Sequence, residues 1–312
     1  MKAVATLTMN PTIDIASSVR KVLPERKLRC DEPSRDPGGG GINVARVIHQ
    51  LGGTAMALYI AGGATGQLLH KIVRREGIEA RRIEIEKLTR ENMTITEAES
   101  GNQFRFVFPG PSIRRSEWQQ CLDMLGLFIP RPAYIVASGS LPPGVPVDFY
   151  AQAAQVAKRI DARFVLDTTG EPLCAALGKD VYLIKPNRRE LEDATGQELS
   201  DPQVQEEVCR ELVDKGKCQM IALTLGESGT LFTAKGLQAR IKGPPVQVVS
   251  AVGAGDSFLG GLVFALTEDY PLADAFRYAI AAGTAAVLTP GTQLCRKRDV
   301  ERIYKEMAGQ KG

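Results

Sequence analysis

Histidine and tryptophan are scarce in this chain of 312 residues: His49 and His70 are the only histidines, and there is one tryptophan. Cysteine is scattered. Cys30, Cys121, Cys174, Cys209, Cys218 and Cys295 lie far apart, and no two form a C-x-x-C pair. That composition excludes zinc-finger and Cys/His metal centres, and it reads as free thiols in a reducing compartment, not a disulfide framework. No apolar run reaches the roughly 18 residues of a membrane helix. Met1 to Asp14 carries one basic residue and a short apolar run cut by Asn10-Pro11, too short for a signal-peptide core. The expected location is therefore the cytosol, with no membrane partner. Charge of one sign is not in excess, since 39 Lys and Arg face 36 Asp and Glu for a net +3. Such balance excludes binding of nucleic acid or membranes through bulk charge. Any affinity for anions must come from a few positioned Lys and Arg residues.

What is present is an ordinary globular composition, 44% hydrophobic and 24% charged, with no repeat or low-complexity tract. Ala3 to Met9 reads as a buried first strand, and Asn43 to Leu51 places Val44, Val47, Ile48 and Leu51 at helical spacing before a Gly52-Gly53 stop. Apolar runs at Ala55–Ala61, Tyr134–Ala137, Phe164–Leu166, Tyr182–Ile184 and Met220–Leu225 predict further strands. Helical patterns at Val147–Lys158, Arg189–Ala194 and Val204–Lys215 separate the later ones. The alternation predicts an α/β fold with a mostly parallel sheet covered on both faces. Two segments break the rhythm. Residues 15–36 are polar without helical period, and Asn92 to Phe108 alternates around Ser100-Gly101-Asn102, a hairpin signal. Together they predict a small β lid at about 15–36 and 90–109 on one domain spanning 1–312, with a face left for a second subunit. The C-terminal third reads as three helices, Asp256–Leu266, Leu272–Leu288 and Lys297–Met307.

Three loops carry the chemistry. In Val252-Gly253-Ala254-Gly255-Asp256-Ser257, a strand-like run (Val246–Val249) leads through two glycines into a helix. Unpaired N–H groups and the positive helix end make an anion cradle there, and glycine lets backbone approach a phosphate. Asp256 in that turn can either cap the helix or accept the proton of an attacking hydroxyl. G-x-G-x-x-G fails because position 258 is Phe, and no Walker G-x-x-x-x-G-K-[ST] string exists. Next, Gly38-Gly39-Gly40-Gly41 before Asn43 is a flexible connection or a loop that touches a polar ligand with its backbone. Lastly, Lys185-Pro186-Asn187 follows a strand, with Asn187 and Glu190 at capping-box spacing or at a metal-water or phosphate contact. Thr224-Leu225-Gly226-Glu227-Ser228-Gly229 is a tight turn or part of a nucleotide pocket.

Taken along the chain as Gly38–Asn43, Asn187–Glu190 and Val252–Asp256, these three elements resemble, over nearly its whole length, the PfkB (ribokinase-like) family of sugar kinases. The opening Thr6 to Asp14, Lys27 to Asp31, Ser138 to Gly144 and Pro290 to Cys295 are similar to the branch acting on ketohexoses that already carry a phosphate. The resemblance implies a three-layer fold, MgATP as phosphoryl donor, and fructose 6-phosphate as acceptor at its C1 hydroxyl. Tagatose-6-phosphate and fructose-1-phosphate kinases, the alternatives, typically read Gly-Gly-Lys-Gly at Gly38–Gly41; a non-catalytic sugar-phosphate sensor is the remaining one. Carried over residue by residue, Asp256 is the general base, with Gly253, Ala254 and Gly255 facing the transferred group. Asp14, Gly38, Gly39, Asn43 and Ser140 hold the sugar; Lys27, Arg90 and Arg29, the last from a partner subunit, take its phosphate. Lys185, Asn187, Thr224, Gly226 and Gly229 line the ATP site, and Glu190 holds the water shell of Mg²⁺. A K⁺ site is implied at Ser250, Val252, Ala286 and Gly291. Ser250-Ala251 stands where many relatives have Asp-Thr, which leaves a K⁺ requirement open.

Overall fold

The computed structural model describes residues 2–290 and 293–309. The chain begins with β1 (Val4–Thr8), β2 (Thr12–Val19), β3 (Ser34–Gly38), α1 (Gly40–Gln50), β4 (Ala55–Ala61), α2 (Gly63–Arg75) and β5 (Glu79–Glu84). It continues through β6 (Arg90–Glu97), β7 (Gln103–Phe106), α3 (Arg115–Gly126), β8 (Tyr134–Ser138), α4 (Phe149–Arg159), β9 (Arg163–Asp167) and α5 (Glu171–Ala176). Then follow β10 (Val181–Ile184), α6 (Arg188–Thr195), α7 (Pro202–Asp214), β11 (Met220–Thr224), β12 (Thr230–Ala234) and β13 (Leu237–Ile241). Three helices, α8 (Ala254–Thr267), α9 (Leu272–Ala286) and α10 (Lys297–Gly309), close the described chain.

Nine strands form one sheet in the order β13-β12-β11-β10-β9-β8-β1-β4-β5. Pairing is parallel from β5 to β11, and β12 and β13 turn back antiparallel at the edge. Both faces of the central strands are buried, which is why they read as continuous apolar runs. Val4, Tyr134, Val136 and Val165 pack against α1, α2, α8 and α9. Their neighbours Ala5, Leu7, Ile135, Ala137, Phe164 and Leu166 pack on the opposite side with α3, α4 and α7. The layers are helix, sheet, helix, as a ribokinase-like fold requires.

The second sheet has the order β3-β2-β6-β7, with β2 and β6 parallel and the outer pairs antiparallel. β2 leaves the carboxyl end of β1 after three residues, and β6 follows β5, so this sheet rises from the carboxyl edge of the large one. The hairpin expected at Ser100-Gly101-Asn102 is present between β6 and β7. Met93, Phe104, Phe106 and Phe108 are exposed on it.

One expected strand is absent: Val246–Val249 is irregular, and Val248 and Val249 are exposed. Two consecutive prolines, Pro244 and Pro245, remove the N–H groups a ladder needs just after β13 ends.

Gly260 and Gly261 explain how α8, buried on nearly every side, fits between α1 and α9. A methyl at Gly261 would fall 2.5 Å from Ala282 Cβ, and one at Gly260 would meet Val47 at 2.6 Å. Gly261→Ala should therefore push α8 off α9 and cost about 1–3 kcal/mol, read as a lower urea midpoint at constant slope. An unchanged midpoint would show that the two helices can separate freely.

Candidate functional site at the carboxyl edge of the sheet

The glycine run is not a flexible connection. Gly39 is held at φ 114 as the residue before α1, a left-handed conformation that favours glycine. A side chain at Gly38 would strike the Asp14 carboxylate at 2.1 Å, and one at Gly40 would strike Ser138 Oγ at 2.1 Å. The run thus brings α1, β2 and the end of β8 into contact.

Asn43 does not cap α1, because Gly39 precedes the helix and Asn43 sits a full turn inside. Its Nδ2 instead donates to Asp256 Oδ2 at 2.9 Å, across 213 residues of sequence. Asp256 does not cap α8 either. Gly253, at φ 76, occupies the cap position, no side chain caps the helix, and Asp256 is the third helical residue. Of the two readings left open by sequence, capping is therefore overturned. In the first turn of α8 the Ala254 amide donates to Ala251 O at a long 3.4 Å, and the Gly255 amide has no intrahelical partner, beside a half-buried carboxylate.

Lys185 follows β10, is buried, and pairs with Asp167 at 3.1 Å. Asp167 ends β9 and accepts from Ser138 Oγ at 3.3 Å. A side chain at Gly255 would lie 3.6 Å from the Lys185 ammonium, so this pair sits under the α8 N-terminus. Burial disfavours charge on Lys185, but adjacent Asp167 outweighs it, and the pKa rises above the ordinary lysine value. For Asp256, burial and then the negative Asp167 push the pKa up to about 6, against the opposing effects of Asn43 and Lys185. Asp14, which accepts from Asn92 Nδ2 at 3.1 Å, is also raised, first by burial.

The Asn187–Glu190 capping box is complete. Glu190 N donates to Asn187 Oδ1 at 2.9 Å, and Asn187 N to Glu190 Oε2 at 2.8 Å. Burial raises the Glu190 pKa, opposed by that amide and by Lys185. Asn187 bridges to Thr224, whose hydroxyl donates to Pro186 O at 3.3 Å. Gly226 and Gly229 then form the tight turn from β11 to β12, at φ 59 and φ 91. Asn10 Nδ2 donates to Ser140 Oγ at 3.0 Å. Arg90 donates through Nη2 to Asn10 O and through Nη1 to Phe108 O, each at 2.9 Å. It is half-buried on a cavity of about 480 Å³ that Thr89, Phe108 and Gly110 also line.

Lys27 and Arg29 lie in the exposed connection between β2 and β3, without a hydrogen bond or ion pair among the described residues. Of the implied K⁺ residues, Ser250 donates through its amide to Val287 O at 3.3 Å beside the end of α9, as the neighbouring Val249 amide does at 2.8 Å. Val252 N donates to Ser250 Oγ at 3.2 Å, and Ala286 O accepts from the Thr289 amide and hydroxyl. Gly291 lies outside the described residues. Sequence reasoning missed Asp167, Asn92 and Arg46. For Asp167 a signal existed: a carboxylate directly after the buried Phe164-Val165-Leu166 run, at a carboxyl strand end where ligands bind.

A model of the pfkB family carbohydrate kinases matches residues 5–299. The chain is 42% identical to a Mycobacterium tuberculosis protein named ATP-dependent 6-phosphofructokinase isozyme 2, over 97% of this chain and 89% of the relative. It is 39% identical to the Escherichia coli protein of the same name, over 97% and 98%. A crystal structure of phosphofructokinase-2 from Escherichia coli in complex with potassium superposes with a TM-score of 0.94. That comparison covers 99% of this chain and 100% of the other at 37% identity.

A raised Asp256 pKa also bears on stability. Near pH 8 the carboxylate is ionised in both folded and unfolded chains, and only the folded one carries the burial cost. Below the ordinary value of 3.8 both forms are neutral and the cost vanishes. Asp256→Asn should therefore stabilise the fold by about 1–2 kcal/mol at pH 8 and by much less at pH 4, as read from urea midpoints. Equal midpoints at pH 8 would mean that Asp256 is not electrostatically frustrated.

Proposed function

The chain belongs to the pfkB family of carbohydrate kinases, and on that premise we propose that it transfers the terminal phosphoryl group of ATP to the C1 hydroxyl of fructose 6-phosphate. Fructose 1,6-bisphosphate and ADP are the products. The observation that carries the mechanism is the 2.9 Å contact between Asn43 and Asp256. It orients a carboxylate of raised pKa beside uncapped helix amides. Asp256 accepts the C1 hydroxyl proton as the new O–P bond forms and the bond to ADP breaks. The amides of Gly253 to Gly255 face the charge that this loose transition state spreads over the phosphoryl oxygens. Lys185, steadied by Asp167, presents fixed positive charge below them.

Asp14, Gly38, Gly39, Asn43 and Ser140 are assigned to the sugar, and Asn187, Thr224, Gly226 and Gly229 to the nucleotide. Glu190 keeps one carboxylate oxygen outside its capping box, which suits contact with a metal's water shell. Mg²⁺, bound with ATP, neutralises charge on its phosphates. K⁺ near Ser250, Val252, Ala286 and Gly291 is proposed on the potassium complex of the Escherichia coli relative. The lid reading of the small sheet, and a homodimer through it, draw support from exposed Met93, Phe104 and Phe106. A cytoplasmic location accords with the family's soluble substrates.

Lys27, Arg29 and Arg90 are assigned to the 6-phosphate. Arg90→Ala should raise KM for fructose 6-phosphate about ten- to a hundredfold with a smaller change in kcat. An unchanged KM removes Arg90 from the site.

The central test is ATP-dependent ADP release with fructose 6-phosphate, fructose 1-phosphate, tagatose 6-phosphate and adenosine, in K⁺ and in Na⁺. Fructose 6-phosphate should be turned over best, and Asp256→Asn should lower kcat by about 10²–10⁴. No turnover with any of the four would overturn the kinase assignment.

A further inference from the structure

Arg46 lies on α1, one turn beyond Asn43, and is 7% exposed. Its guanidinium has three engagements. Nε and Nη2 meet the two carboxylate oxygens of Glu76, at 2.6 and 3.0 Å. Nη1 donates to Asn43 Oδ1 at 3.3 Å and to Pro37 O at 3.4 Å. Glu76 is the residue that ends α2. A tie between α1 and α2 needs only the first engagement; the third nitrogen is aimed at the glycine run and at Asn43.

Guanidinium nitrogens only donate, and an ionised carboxylate only accepts. Asn43 sits between the two, so its orientation is forced. The amide oxygen must face Arg46, and the NH₂ group must face Asp256. Rotating the amide would set donor against donor at one end and oxygen against oxygen at the other. We propose that Arg46, locked by Glu76, is a positioning residue that holds the Asn43 amide as an obligate donor to Asp256 and so keeps that carboxylate in place as the base. The inference rests on the reading of Asp256 as the base.

The groups facing Asp256 are Asn43 from α1, Lys185 after β10, Asp167 at the end of β9 and Asp14 on β2. Arg46 acts on it through Asn43. Loss of the Asn43 donor disfavours the ionised form, so base function is lost at a higher pH. The experiment measures kcat/KM for fructose 6-phosphate from pH 5 to 9, with thermal stability alongside. The chains compared are wild type, Arg46→Met, Glu76→Gln, Asn43→Ala and the Asn43→Ala/Arg46→Met double variant. Arg46→Met should move the acid limb up by about one pH unit and lower kcat at pH 7 about tenfold, with Glu76→Gln moving both the same way but less. In the Asn43→Ala background Arg46→Met should move the limb no further.

An acid limb unmoved in Arg46→Met, with only the melting temperature lowered, overturns the proposal and leaves a helix tie. A shift in the double variant well beyond that of Asn43→Ala alone overturns it too, since the effect would then bypass the amide. If Arg46→Met fails to fold, Glu76→Gln decides on the same criterion. Asp256→Asn separates the two readings. Full activity in that variant sinks the base and this inference together, whereas an inactive Asp256→Asn with an unmoved Arg46→Met limb sinks only the inference.

Discussion

Asp167 and Asp14 lie close enough to Asp256 at the carboxyl edge of the sheet to disfavour its charge, and the buried ammonium of Lys185 opposes them. Coulomb repulsion among ionised carboxylates in a partly dehydrated cleft costs several kcal/mol unless it is offset. Lys185 pairs with only one of them, Asp167, at 3.1 Å. Burial, and then the negative charge of Asp167, push the Asp256 pKa up to about 6. A carboxylate stable as an anion at pH 7, yet more basic than a free aspartate, is suited to accept a proton from a hydroxyl. The burial and repulsion that strain the fold therefore also tune the base.

That cluster exists because three different parts of the chain can approach one another closely. Parallel strands β1, β8, β9 and β10 end on one edge, so the residues that follow them share a line. The glycine run then removes the side chains that would hold α1 away from Asp14 and Ser138. At the far side, Gly253 turns the chain left-handed so that α8 starts above Lys185. Each closeness is steric before it is chemical. A single methyl at Gly38 or Gly40 would occupy the space in which the carboxylate of Asp14 or the hydroxyl of Ser138 now sits.

Much of the fold was legible because burial on both faces leaves an uninterrupted apolar run. Those runs locate β1, β4, β8, β9, β10 and β11 within a residue or two of their observed ends. The edge was harder. β5 and β13 carry charged or polar residues toward solvent, and Val246–Val249 is apolar yet irregular because prolines precede it. At the site, motifs containing glycine were visible since glycine signals backbone constraint. Arg46 and Glu76 were not, because nothing in a helical stretch distinguishes a buried guanidinium from a solvated one. Their meaning comes from a contact between the middle of α1 and the residue that follows α2, which local pattern does not encode. Arg90 was misleading in the same way. Read singly it is a surface charge, but in the fold it is half-buried and fastened to the carbonyls of Asn10 and Phe108.

These last two arginines divide the work of anchoring the site. Arg90 fastens the chain leaving β1 to the end of the β6–β7 hairpin, and thereby sets where the small sheet stands over the cleft. Arg46 fastens the glycine run and Asn43 to the end of α2. The first guanidinium is only half-buried, and each of its terminal nitrogens bonds a single carbonyl, so it keeps N–H groups for an anion. The second is buried, and four of its five N–H groups meet carboxylate, amide and carbonyl oxygens of the protein, so it is turned to the fold and not to a ligand. By hydrogen-bond inventory alone, Arg90 can serve a ligand and Arg46 can serve only the protein. A buried arginine with four of its five N–H donors committed inside the fold orients its neighbours, and the neighbour here is the amide that faces Asp256.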